Sequence, residues 1–137
     1  MISYFSEINY ELKNPENLTT WIEESILKEG FVPGEINYIF CDDECLLQKN
    51  IKYLSHNTLT DIISFDYTEN NIISGDIFIS IERVKENAQD LGHLFEDELC
   101  RVMIHGVLHY CGYKDKTEKE QTEMTAKEDY YLSLRTF

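Results

Sequence analysis

Two of the chain's four histidines, His105 and His109, lie on its most apolar helical stretch, residues 95–111, which ends at Gly112. An apolar helix belongs against the body of a fold, and unpaired imidazoles are costly there. At i and i+4 the two side chains share one face, with Cβ atoms about 6 Å apart, so that both can reach one ion. Gly112 can adopt positive φ, stop the helix and turn the chain back. Asp115, three residues further on, can then approach the same ion from a third direction. Two His and one Asp leave one tetrahedral position of a zinc open, which is the catalytic rather than the closed structural arrangement. The plainer alternative is a pair of histidines on a half-buried helix. The glycine stop and the carboxylate at this offset favour the metal.

The rest of the chain predicts what that helix packs on. Residues 2–8 form a short apolar/polar run that fits a strand. Asn14 as cap and Pro15 at the first helical position open a helix, with Leu18, Trp21, Ile22, Ser25 and Ile26 at helical spacing and Gly30 closing it. Residues 35–40 alternate as a strand, with Ile36, Tyr38 and Phe40 on one side. Asp42 or Asp43 caps a helix to about residue 54. Strands follow over 61–67 and 72–80, where Gly75 marks a bulge or a close backbone approach. Helices are expected over 81–91, 95–111 and 117–134, the last opened by a Thr117/Glu120 capping box. The order β-α-β-α-β-β-α-α-α indicates an α/β (α+β) fold with a mixed sheet packed by helices. With two prolines, six glycines and no linker, residues 1–137 read as a single domain.

Composition narrows the function. At 137 residues the chain can bury a core without staples. Twelve basic against 26 acidic residues give a net charge of −14, which opposes diffuse attraction to nucleic acid or anionic membrane. No apolar run of about 18 residues exists to span a membrane. The amino-terminal residues lack the basic region of a secretory signal, so a cytoplasmic location is expected, with Cys41, Cys45, Cys100 and Cys111 as reduced thiols. Cys41 and Cys45 have no nearby Cys or His to complete a zinc set. Local cations do gather near the motif. Lys52, His56, Lys114 and Lys116 are candidate substrate-binding residues that could face phosphate, or else simply solvated surface. Asp61 and Asp76 could serve a ligand histidine or act as general base, with turn and strand-end chemistry as the plainer role. Met124, Tyr130 and Tyr131 of the last helix suit packing. Gly106 follows the first histidine, where helix-borne zinc peptidases carry a glutamate base, and glycine cannot accept a proton.

The spacing H-x-x-x-H-x-x-G-x-x-D resembles the zincin pattern with a terminal Asp in place of His. The fuller motif H-G-x-L-H-x-x-G-Y, over His105–Tyr113, resembles the signature of the YbeY family of metal-dependent endoribonucleases, bacterial rRNA maturation factors. Asn50-x-x-Tyr53, Thr60-Asp61-Ile62-Ile63-Ser64-Phe65, Gly75-Asp76-Ile77-Phe78-Ile79-Ser80 and the pair Met124 and Glu128 resemble further family segments in the same order. The resemblance implies a four-stranded mixed sheet and one zinc ion. His105, His109 and Asp115 would be its ligands and act catalytically through it. It also implies cleavage of single-stranded RNA in maturation of the 16S rRNA 3′ end, a role in ribosome quality control, and ribosomal RNA or the small ribosomal subunit as partner. Two departures stand out. The family's third ligand is usually His, where this chain has Asp115. The family's arginine after the tyrosine is Leu54 here, which cannot donate to phosphate. Two other functions fit the same residues. A zinc peptidase would take its base from another segment and lose peptide turnover in His105→Ala. A metal-stabilised ribosome-binding factor without cleavage would keep its ribosome association when His109 is changed.

Overall fold

The computed structural model describes residues 1–54 and 60–137. Its elements are β1 (Ile2–Ser6), α1 (Pro15–Lys28), β2 (Val32–Cys41), α2 (Asp43–Leu54), β3 (Ile62–Asp66), β4 (Ile72–Ser80), α3 (Ile81–Leu91), α4 (Phe95–Tyr110) and α5 (Glu118–Ser133). The strands form one sheet in the order β1-β2-β4-β3. β1, β2 and β4 run parallel, and β3 pairs antiparallel with β4 at the edge. This is the expected α+β domain with a mixed four-stranded sheet.

Strand periodicity decides the layering. Ile36, Tyr38 and Phe40 of β2 and Ile73, Ile77 and Ile79 of β4 are fully buried in the main core. They pack with Trp21, Ile22 and Ile26 of α1 and with Leu99, Met103, Ile104 and Val107 of α4. A second, smaller cluster joins Leu46 of α2 to Cys41, Ile63, Phe65 and Phe78. Burial of each large apolar side chain contributes roughly 1.5–3 kcal/mol. α4 sits close to the sheet because Gly106 has no Cβ. One placed there would lie 3.1 Å from both Ile62 Cδ1 and Ile77 Cδ1. Position 106 thus faces β3 and β4, where even a methyl group would press on Ile62 and Ile77, and its glycine cannot act as a base. Two phenols fasten the helix further. Tyr38 donates to the Met103 carbonyl at 2.9 Å, and Tyr110 to the Phe65 and Asp76 carbonyls at 3.0 and 3.1 Å. α5 is held by Met124 and Tyr131 in the core and by the Trp21 indole N–H donating to the Tyr131 carbonyl at 2.8 Å.

Several local expectations shift. β1 stops at Ser6 rather than residue 8. Asn14 adopts φ 54° and makes no side-chain capping bond, so α1 begins on Pro15 without the expected cap. β2 starts at Val32 and includes Pro33, and the bulge lies in β2, where the register shifts between Pro33 and Ile36. Gly75 is the other alternative, a close approach: a Cβ there would meet the Phe65 carbonyl oxygen and the Tyr110 hydroxyl, each at 2.5 Å. Asp42 caps α2 by accepting from the Cys45 N–H at 2.9 Å. Asp43 instead accepts from Ser80 Oγ and from Arg83 at the start of α3. Thr117 and Glu120 form the expected capping box. Among the described residues no helix is long and apolar enough to cross a membrane.

Candidate metal centre

α4 ends in a backbone device that brings three side chains together. The Gly112 N–H donates to the His109 carbonyl and the Tyr113 N–H to the Leu108 carbonyl, with Gly112 at φ 104°. This paired closure reverses the chain, and only a residue tolerant of positive φ fits it without strain. Asp115 returns beside the helix face that carries both histidines. His105 Nε2 and His109 Nε2 lie 2.9 Å apart. Asp115 Oδ2 is 3.2 Å from His109 Nε2 and 3.3 Å from His105 Nε2.

The outer ring nitrogens fix the tautomers. His105 Nδ1 is 2.6 Å from Glu128 Oε2, and His109 Nδ1 is 2.9 Å from the Tyr113 carbonyl oxygen. Both partners are acceptors, so each Nδ1 carries the proton and each Nε2 turns a lone pair toward the other. Two lone pairs at that separation repel unless a cation or proton lies between them. A zinc with bonds of about 2.0–2.1 Å sets neighbouring tetrahedral ligands about 3.3 Å apart, close to the three distances here. A histidine backed by a carboxylate is the usual arrangement behind a metal-facing imidazole. Donor type, tautomer and spacing therefore fit a divalent cation held by His105, His109 and Asp115. Among the described residues this is the only cluster of three His, Cys, Asp or Glu side chains so arranged. Cys41 and Cys45 are free thiols, and Cys45 donates to Glu7.

The triad opens into a cleft of about 530 Å³ between α4, α5 and the segment leading into β3. Thr60, Asp61, Ser64, Glu98, Arg101 and Glu128 are among its lining residues. Glu128 is buried and bridges two groups, accepting from His105 Nδ1–H on one oxygen and from Arg101 Nη1 at 2.8 Å on the other. Arg101 also donates to Asp129 at 2.6 Å. Burial pulls the His105 imidazole down, but the Glu128 hydrogen bond and the charges of Glu128, Asp115 and Asp61 outweigh it and raise its pKa. Burial raises the Asp61 carboxyl, opposed in part by His105.

The other candidates fall in different places. Lys52 is exposed on α2, its Nζ 5.1 Å from the centre of the Tyr53 ring. Lys114 and Lys116 are exposed on either side of Asp115. None of these three lines the cleft, where Arg101 is the only lysine or arginine among the described residues. His56 lies outside the described residues. Asp76 is occupied on its strand, where its carboxylate accepts from Asn37 at 3.0 Å. Arg101 is the site residue that no motif marks, and Glu128 is marked only as part of the Met124 and Glu128 pair, with no role attached. Their signal was periodicity: Glu128 falls four residues after Met124 and three before Tyr131, and Arg101 one turn before His105.

Fold and site together define an α+β domain in which two histidines of α4 and an aspartate from the turn after it lie close enough to hold a metal ion, with a buried glutamate behind His105. The chain belongs to the YbeY family: the model described as "Endoribonuclease YbeY" matches residues 5–135. An Endoribonuclease YbeY of Flavobacterium psychrophilum is 56% identical over 134 residues, covering 98% of this chain and 96% of the relative. That of Cytophaga hutchinsonii is 51% identical over 138 residues, covering 99% and 96%. The solution structure of TM1509 from Thermotoga maritima is similar with a TM-score of 0.70 at 30% identity, covering 97% of this chain and 87% of that one.

Proposed function

We propose that this protein is a zinc-dependent endoribonuclease that cleaves single-stranded RNA. The observation that carries the proposal is the convergence of two Nε2 lone pairs and one carboxylate oxygen within 3.3 Å of one another, both imidazoles having committed their other nitrogen to an acceptor. His105, His109 and Asp115 would hold one zinc ion. When bound, the ion supplies Lewis acidity toward a phosphoryl oxygen and makes water a better nucleophile near neutral pH. Glu128 keeps the His105 proton on Nδ1, the Tyr113 carbonyl does the same for His109, and Arg101 steadies Glu128 from its other oxygen. Asp61 lies on the opposite cleft wall, and its raised carboxyl suits a group that takes up and returns a proton during hydrolysis. Lys114 and Lys116, exposed on either side of Asp115, would supply a sparse cationic rim for the phosphates that flank the scissile bond.

The substrate in this proposal is the 3′ end of 16S rRNA, with the small ribosomal subunit as partner, the cytoplasm as location, and ribosome maturation and quality control as the setting. Membership of the family and the name its relatives carry support it. A base at position 106 is lacking and that position faces the sheet, which disfavours peptidase chemistry. The test is cleavage of a 16S 3′-end RNA by the unaltered protein and by His109→Ala. Loss of several kcal/mol of transition-state stabilisation predicts a fall on the order of 10³-fold. Equal cleavage by both would trace the activity to a contaminating nuclease and remove the proposal.

A further inference from the structure

Asp115 is presented by a turn, not by a helix, and its neighbours Gly112, Lys114 and Lys116 are exposed. A ligand on a turn keeps its place only if something pins the turn. The pin is Tyr113, which is engaged at both ends. Its carbonyl accepts from His109 Nδ1 at 2.9 Å, and its hydroxyl donates to Glu29 Oε1 at 2.7 Å. Glu29 lies at the end of α1, 84 residues away in sequence. Its other carboxylate oxygen accepts from the Tyr131 hydroxyl and from Lys127 Nζ, both on α5. Lys127 also sits 5.6 Å from the centre of the Tyr113 ring. Its neighbour in sequence is Glu128, which holds His105.

One carboxylate from α1 therefore gathers the turn and α5, the two elements that complete the site around α4. The Glu29 side chain is only 10% exposed. A carboxylate buried to that degree is retained at a cost unless several donors meet it, and here three do. We propose that Glu29 is a positioning residue for the metal centre, acting through Tyr113 to hold the turn that presents Asp115 and the carbonyl that orients His109. This rests on the metal reading of the triad given above.

The test is Co²⁺ binding, followed by visible absorption of the bound ion, in Glu29→Ala, Tyr113→Phe, the double variant and Trp21→Phe. Loss of an outer partner typically weakens metal binding about 10–100-fold, and Glu29 stands one contact further out, so about 10-fold is expected for either single change. The double variant should bind no more weakly than the worse single, because both act through one contact. The bound-ion spectrum should change in all three. Trp21→Phe removes the hydrogen bond to the Tyr131 carbonyl without touching the turn, and should lower the melting temperature while leaving affinity and spectrum unchanged. Tyr113→Phe loses one hydroxyl only, so it reports even if Glu29→Ala does not fold. Folded variants that melt lower yet bind Co²⁺ with unaltered affinity and spectrum would make Glu29 merely structural and overturn the proposal. An unaltered protein that takes up no Co²⁺ would overturn the metal reading, and this inference with it.

Discussion

The cleft wall between α4 and α5 holds one imidazole of the site, the turn after α4 holds the other, and they do so by different physics. On the wall, His105 meets a buried carboxylate, and that carboxylate meets an arginine. At the turn, His109 meets a backbone carbonyl whose position depends on Gly112 and on the far end of the Tyr113 side chain. The wall is an electrostatic support on two regular helices. The turn is a conformational support, closed by backbone hydrogen bonds. A carboxylate behind an imidazole raises its basicity as well as orienting it, whereas a carbonyl chiefly orients. The two supports should therefore fail in different ways.

The largest difference is expected when the wall loses its charge. Glu128→Gln keeps the shape but removes the anion from both His105 and Arg101. Metal affinity should fall about 10–100-fold, as read by competition with a chelator. An unchanged affinity would mean that the wall, like the turn, supplies orientation only.

A second contrast lies in pH. In the metal-free protein burial lowers the His105 pKa, but Glu128, Asp115 and Asp61 raise it further, so the folded value exceeds the ordinary one. The stability this contributes is fully present below the ordinary histidine value and is lost as pH rises through the folded one. Glu29 runs the other way. Burial raises it, but hydrogen bonds from Tyr131, Tyr113 and Lys127 prevail and leave it below the ordinary glutamate value. Its contribution is present above that ordinary value and is lost as pH falls through the folded one. Urea unfolding of the metal-free protein across pH should show Glu128→Gln flattening the alkaline side and Glu29→Gln the acid side. Identical profiles for the two variants would erase the distinction between wall and turn.

Both regions were partly readable from residue order. The i, i+4 histidines, the glycine stop and Asp115 are short-range features, and helix geometry alone brings them to one place. The Thr117/Glu120 box is likewise local and formed as read. The support for the triad was less legible because it is long-range: Glu128 reaches His105 across 23 residues, and Glu29 reaches Tyr113 across 84. For Glu128 the local hints are its spacing from Met124 and its register with core positions on the helix, and neither names its partner. The missed details of the fold have similar causes. Asn14 has a capping side chain but a left-handed backbone that points it elsewhere. Pro33 sits in β2 because a bulge follows it.

The smallest effects belong to the exposed cations. Lys114→Ala and Lys116→Ala should change stability by less than about 0.5 kcal/mol. If these lysines meet RNA phosphates, each change should weaken RNA binding modestly and reduce its salt slope by about one. A salt slope unchanged in the double variant would remove them from the RNA path and leave Arg101 as the cation nearest the triad.

The central claim is that His105, His109 and Asp115 share one zinc. X-ray absorption at the zinc edge of the purified protein tests it most directly. Two imidazole nitrogens and carboxylate or water oxygens at about 2.0–2.1 Å, with no sulfur scatterer, are predicted, and His109→Ala should abolish the bound ion. Sulfur at about 2.3 Å, or zinc retained in full by His109→Ala, would put the metal elsewhere and contradict the account.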